Sequence, residues 1–114
     1  MHKYAINIAI RGETGMIREV ARIEIDPADA ERFETAVALA TPHFRAADGC
    51  RSFRLDRSVD RPGHYRLVVG WDTVAAHVDG FRNSPGYQAW RALVGPFFVT
   101  PPDVDHVETA VNGF

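Results

Sequence analysis

Histidine and arginine are the side chains here best suited to acid–base work. A neutral imidazole near pH 7 can take a proton from a weak acid, and a guanidinium beside it steadies the anion left behind. Among the residues of these types are His77 and Arg91, close in the chain to the aromatic side chains Trp71 and Trp90. Each has a plainer reading. Trp71 ends an apolar strand face and reads as core or pocket wall, His77 as a surface or helix-packing histidine, and Arg91, beside Trp90 and one turn past Tyr87, as a stacking or ion-pairing partner. His2, His43, His64, His77 and His106 are scattered, with no i,i+4 pairing and no H-E-x-x-H run, so no metal site is expected. Cys50 is the sole cysteine, which excludes an internal disulfide and a thiolate cluster; following Gly49 at a turn, it reads as a small, buried, inert thiol.

The elements that must position these residues follow from periodicity. Tyr4, Ile6, Ile8 and Ile10 alternate with smaller residues, which predicts a short strand ending at Gly12-Glu13-Thr14-Gly15. Ile17, Ala21, Ile23 and Ile25 then alternate with Arg18, Val20, Arg22 and Glu24, a half-buried strand. Asp26-Pro27 starts a helix with apolar stripe Ala30, Phe33, Val37, Ala40 and Phe44, and Pro42 is expected to kink or restart it with Thr41 as a new cap. Strands are expected over 51–58 and 64–71 as a hairpin around Val59-Asp60-Arg61-Pro62-Gly63, with Tyr65, Leu67, Val69 and Trp71 on one face. Thr73 caps a short helix to about Phe81, Ser84-Pro85 starts another that Gly95-Pro96 stops, and a last strand is expected over 103–111.

The order is a strand, then βαββααβ: an α+β fold of the split βαβ or ferredoxin-like kind, an antiparallel sheet with helices on one face. Residues 1–15 read as an N-terminal extension, 16–111 as the domain and 112–114 as a tail. Such a sheet invites a second subunit over its open face, so a homodimer is expected. A length of 114 residues leaves no room for a separate cofactor domain of roughly 100 residues or more. A net charge of −2 with no basic run excludes the electrostatic footprint of a nucleic-acid binder. No apolar run approaches the ~20 residues needed to span a bilayer and no secretory cleavage site follows the start, which makes the cytoplasm the expected compartment and a membrane partner unexpected.

Gly49-Cys50 before the hairpin, Gly70-Trp71-Asp72-Thr73 at its end, Ala76-His77, Ser84-Pro85-Gly86-Tyr87, and Gly95-Pro96-Phe97-Phe98 running to Pro101-Pro102 succeed one another on this pattern. Together they resemble the antibiotic biosynthesis monooxygenase family over about residues 16–111. The resemblance implies a homodimer forming an α/β barrel, with a pocket in each subunit between sheet and helices. Quinone-forming members surround their substrate with a tryptophan, a tyrosine, an arginine and an asparagine. By alignment the tryptophan and arginine places hold Trp71 and Arg91, while the tyrosine place holds His77 and the asparagine place Leu67.

That pattern implies cofactor-independent oxygenation of a small phenol, anthrone or quinol. An electron-rich phenolate or carbanion passes an electron to O₂ itself, so the protein has only to deprotonate, orient and desolvate it, without metal or flavin. His77 would accept the proton, Arg91 would hold the anion, and Leu67, Tyr65, Phe81, Tyr87 and Trp90 would line the substrate site. A heme-degrading member would need a histidine and an asparagine where this chain has Arg91 and Ala21. The alternative is a non-catalytic dimeric module that binds a small apolar or aromatic metabolite.

Overall fold

The computed structural model describes residues 16–114. The strand expected from Tyr4 to Ile10 lies outside these residues. Four strands form one antiparallel sheet: β1 (Ile17–Glu24), β2 (Cys50–Arg57), β3 (His64–Trp71) and β4 (Asp103–Val107), in the order β2-β3-β1-β4. Two α-helices cover it, α1 (Ala30–Arg45) and α2 (Pro85–Val94). This is the expected α+β, ferredoxin-like sandwich.

Alternation decides what faces the helices. From β1 the inward row is Glu19, Ala21 and Ile23, continued by Ile25, and from β3 it is Tyr65, Leu67, Val69 and Trp71; all of these are buried. The α1 stripe fits onto this surface, burying Phe33, Val37, Ala40 and Phe44 as its periodicity predicts. Phe33, Val37 and Phe44 each contribute roughly 1.5–3 kcal/mol on leaving water. Phe44 sits at the centre, stacked on Phe53 at 4.3 Å and edge-on to Trp90 at 5.2 Å between ring centroids.

Pro42 behaves differently from the sequence expectation, because α1 runs through it to Arg45 and Thr41 starts no new helix. The proline stands in the last turn, where its missing N–H costs a single backbone bond, and buried Ala40 and Phe44 hold the helix on both sides. The last strand stops at Val107, short of the expected 111, because its partner runs out: Arg18 pairs with Val107 and β1 begins at Ile17.

The turns are built as their residues require. Asp26 caps a single 3₁₀ turn (Pro27–Asp29) by accepting from the Ala28 N–H at 3.0 Å, and α1 comes directly after it. Gly63 closes the β2–β3 hairpin with φ +83°, and a Cβ there would lie 2.4 Å from the Ile25 carbonyl oxygen. After β3, Thr73 Oγ1 accepts from the Ala76 N–H, and the expected short helix is a π-helical turn over Ala76–Gly80 succeeded by a 3₁₀ turn over Phe81–Asn83. Ser84 then caps α2 through the Tyr87 N–H.

The sheet face opposite the helices is mostly charged. Arg18, Arg22 and Glu24 of β1, Arg66 of β3, Arg54 and Asp56 of β2, and Asp103 and Asp105 of β4 point there, with Val20, Val68 and Val107 among them. The sheet's bulky apolar side is covered by the chain's own helices. Among the described residues no helix is long and apolar enough to cross a membrane.

Candidate functional site

A cavity of about 770 Å³ opens between the sheet and α2. Its apolar wall comes from Ala21 and Ile23 of β1, Leu67 of β3, Trp90 of α2, Val104 of β4 and Phe98. Its polar lining includes Glu19, His77, Arg82, Tyr87 and Arg91. A hollow that joins an apolar wall to convergent polar groups is a common form of small-molecule site.

Five of the residues singled out from sequence therefore meet at one cavity: His77, Arg91, Leu67, Tyr87 and Trp90. Trp71, Tyr65 and Phe81 are not on its wall. Trp71 is fully buried behind His77, the two rings stacked at 5.3 Å with 16° between their planes. Phe81 packs on Trp71 and Phe44 in the core. Tyr65 turns away, its hydroxyl donating to Glu34 Oε2 at 2.7 Å, where Arg57 also binds that carboxylate.

Two groups absent from the sequence candidates complete the polar wall. Glu19 lies on the inward row of β1 and is 6% exposed; the Trp71 indole N–H donates to its Oε1 at 3.0 Å, and His77 Nε2 lies 3.3 Å from the same oxygen. His106 of β4, the cross-strand partner of Glu19, places Nε2 2.8 Å from His77 Nδ1. With Glu19 ionised, one proton per imidazole satisfies the chain: His106 Nε2–H donates to His77 Nδ1, and His77 Nε2–H faces the carboxylate. The signal for Glu19 was a carboxylate at an apolar position of an alternating strand. His106 gave none, since its strand is short and half-exposed.

Burial sets the charges here. It lifts Glu19 above the ordinary carboxylate range, against the Trp71 hydrogen bond and the positive charge of Arg82. His77, 2% exposed, is pushed down to about 4 by burial, then by Arg82 and His106. The nearby carboxylate would favour the charged ring, but these effects outweigh it and the imidazole is neutral at pH 7. Arg91 stands at the mouth, its guanidinium 5.9 Å from the Tyr87 ring centroid. The π-helical turn aims His77 inward, and such turns recur at functional sites. Among the described residues no group of three or more His, Cys, Asp or Glu is arranged to hold a metal ion.

Residues 16–93 match the family described as antibiotic biosynthesis monooxygenase. YczJ of Bacillus subtilis (strain 168) is 33% identical over 93 residues, which are 82% of this chain and 98% of that one. A solved structure from Bordetella bronchiseptica, assigned to the same family, superposes with a TM-score of 0.82 at 44% identity, covering 84% of this chain and 98% of its own. SnoaB from Streptomyces nogalater, a cofactor-independent oxygenase, is similar in fold, with a TM-score of 0.71 at 18% identity over 86% of this chain and 96% of its own.

Proposed function

Since this chain belongs to the antibiotic biosynthesis monooxygenase family, we propose that it is a cofactor-independent monooxygenase acting on a small electron-rich aromatic, a phenol, anthrone or quinol, in the cavity between sheet and helices. The observation that carries this reading is the buried imidazole of His77, 3.3 Å from the Glu19 carboxylate, on the wall of a cavity that joins an apolar surface to two guanidiniums. Deprotonation leaves a phenolate or carbanion facing Arg82 and Arg91. One electron passes to O₂, the substrate radical and superoxide combine into a peroxide anion, the proton taken from the substrate returns to it to give a hydroperoxide, and loss of water, which carries off the outer oxygen and the ring hydrogen, leaves the inner oxygen on the ring as a quinone carbonyl. The apolar wall takes part of the anion out of water, which strengthens its interaction with the arginines. The chemistry draws on O₂ and substrate alone.

Trp71 acts in this reading through His77 and Glu19 rather than by stacking on the substrate. Leu67, at the family's asparagine place, adds an apolar wall, so the polar contacts fall to the guanidiniums. A homodimer joined through the charged sheet face is part of the proposal, supported by the Val20, Val68 and Val107 side chains between the charges.

One observation favours the rival reading of a non-catalytic module for an aromatic metabolite: both ring nitrogens of His77 are engaged by protein groups. Incubating the protein aerobically with anthrones, naphthols and quinols, while monitoring O₂ uptake, quinone absorbance and tryptophan quenching, separates the two. Quenching with O₂ uptake is the expected result. Quenching without O₂ uptake across the panel overturns the oxygenase.

A further inference from the structure

His77 is poorly placed to be the group that takes the substrate's proton. Its Nδ1 is 2.8 Å from His106 Nε2 and its Nε2 is 3.3 Å from Glu19 Oε1, so its one lone pair is already occupied by a neighbour's N–H when the carboxylate is ionised. Glu19 offers what His77 lacks. It lines the same cavity, both its contacts fall on Oε1, and among the described residues Oε2 has no hydrogen-bond donor.

We propose that Glu19 is the proton acceptor of this site, that its Oε2 takes the proton of a neutral phenol or of the acidic carbon of an anthrone, and that His77 is a positioning residue held by His106. The proposal rests on the oxygenase reading for its substrate and goes beyond it in the residue and the atom. In the step, the substrate O–H or C–H bond breaks, an O–H bond forms on Glu19, and the electron pair stays on the substrate. The cavity holds one negative charge before and after, so Arg82 and Arg91 stabilise both states while the charge moves from carboxylate to substrate.

The electrostatics run the same way. A base works best when its conjugate acid titrates near the working pH. Burial moves Glu19 upward toward that range and takes His77 down to about 4, where the ring accepts a proton poorly. The groups facing Glu19 are the Trp71 N–H from β3, His106 from β4, His77 from the π-helical turn, Arg82 from the 3₁₀ turn after it, and the Cys50 thiol from β2, which is pushed up chiefly by burial and to a lesser degree by Glu19.

The test counts protons and needs no turnover. 4-Nitrophenol is titrated into the protein under argon, at a pH where the free compound is mostly neutral, and binding is read by phenolate absorbance and by calorimetry in buffers of different ionisation enthalpy. In the wild type the bound compound should be the phenolate with close to no proton released, because Glu19 keeps it. Glu19→Gln, which preserves an acceptor for Trp71, should release about one proton per phenolate bound, whereas His77→Gln should stay near none. The reverse pattern, or a wild type that binds no nitrophenol, overturns Glu19 as the acceptor. Melting curves show whether Glu19→Gln is folded; should it not be, Glu19→Asp keeps the charge one methylene shorter and should release an intermediate number of protons. With any panel compound the wild type oxidises, Glu19→Gln should lose ~10²-fold or more in turnover. If none is oxidised the oxygenase reading falls, and the proton count still decides Glu19.

Discussion

Replacing His77 removes a ring that is stacked on Trp71 and bonded to His106, so His77→Ala should be destabilised as well as slow. Leaving buried polar partners unsatisfied costs about 1–3 kcal/mol, and a clear fall in melting temperature is expected. The pH dependence comes from the depressed pKa of the ring. Below pH ~6.5 the unfolded chain takes a proton on this histidine that the folded chain refuses until about pH 4, so the His77 contribution to stability is present above ~6.5 and is lost as the pH falls toward 4. Glu19, shifted upward, favours the folded state in the same direction of acidification and offsets part of the loss. The measurement is the melting temperature of wild type and His77→Gln across this range: the wild type should fall more steeply, and parallel curves would count against a neutral buried ring. Arg91 lies at the exposed mouth, so Arg91→Gln should melt within about 0.5 kcal/mol of wild type while raising KM and lowering kcat for any substrate found. An Arg91→Gln protein kinetically identical to wild type would remove that arginine from the site.

At the scale of elements, the hairpin turn offers the sharpest test. Gly63→Ala puts a Cβ at a positive φ and 2.4 Å from the Ile25 carbonyl, while Gly63 O accepts the Ile25 N–H at 2.9 Å. A loss of more than ~1 kcal/mol in urea denaturation is expected, and an unchanged midpoint would contradict this turn. The turn is legible from Pro62-Gly63, as is β3 from its alternation and each helix start from Asp26-Pro27 and Ser84-Pro85, since these signals are local. The features that are not legible depend on partners distant in the chain. β4 ends where β1 begins, and α1 ignores Pro42 because the core grips both sides of it. In the site, His77, Arg91 and Leu67 come from the family pattern and do share a cavity, together with Tyr87 and Trp90, which read as core or pocket-lining aromatics. Glu19 and His106 join His77 only when β1 and β4 pair, and Trp71 is no substrate platform because the His77 ring stands in front of it.

For the molecule as a whole, the face available for association is one of charges more than of oil. Arg22 already pairs with Asp105 at 3.0 Å within the chain, so a partner must compete with or extend such pairs. We expect light scattering to give twice the 12.7 kDa chain mass at micromolar concentration. Stable obligate interfaces commonly bury ~2,000 Å² or more. Because exposed charge pairs are screened by salt, the dimer should loosen between about 0.1 and 1 M salt, over which the screening length falls from about 10 to 3 Å. A mass of one chain at low salt would defeat the dimer, and a dimer indifferent to salt would place it on another surface.

The π-helical turn at Ala76–Gly80 bears on how this site tolerates insertion and deletion. An ordinary α-turn would hold one residue fewer between the end of β3 and the 3₁₀ turn. Losing that residue would rotate the next stretch of chain by about 100° about the helix axis. Arg82, now on the cavity wall, would then take the place of Phe81, so that a guanidinium would face the Phe44–Trp71 packing, and Asn83 would take the place of Arg82 on the cavity wall. Point substitutions at the exposed positions of this segment leave that arrangement alone. Its length is therefore the property under constraint, and a change of a single codon's worth of chain would disturb the cavity more than most changes of side chain around it.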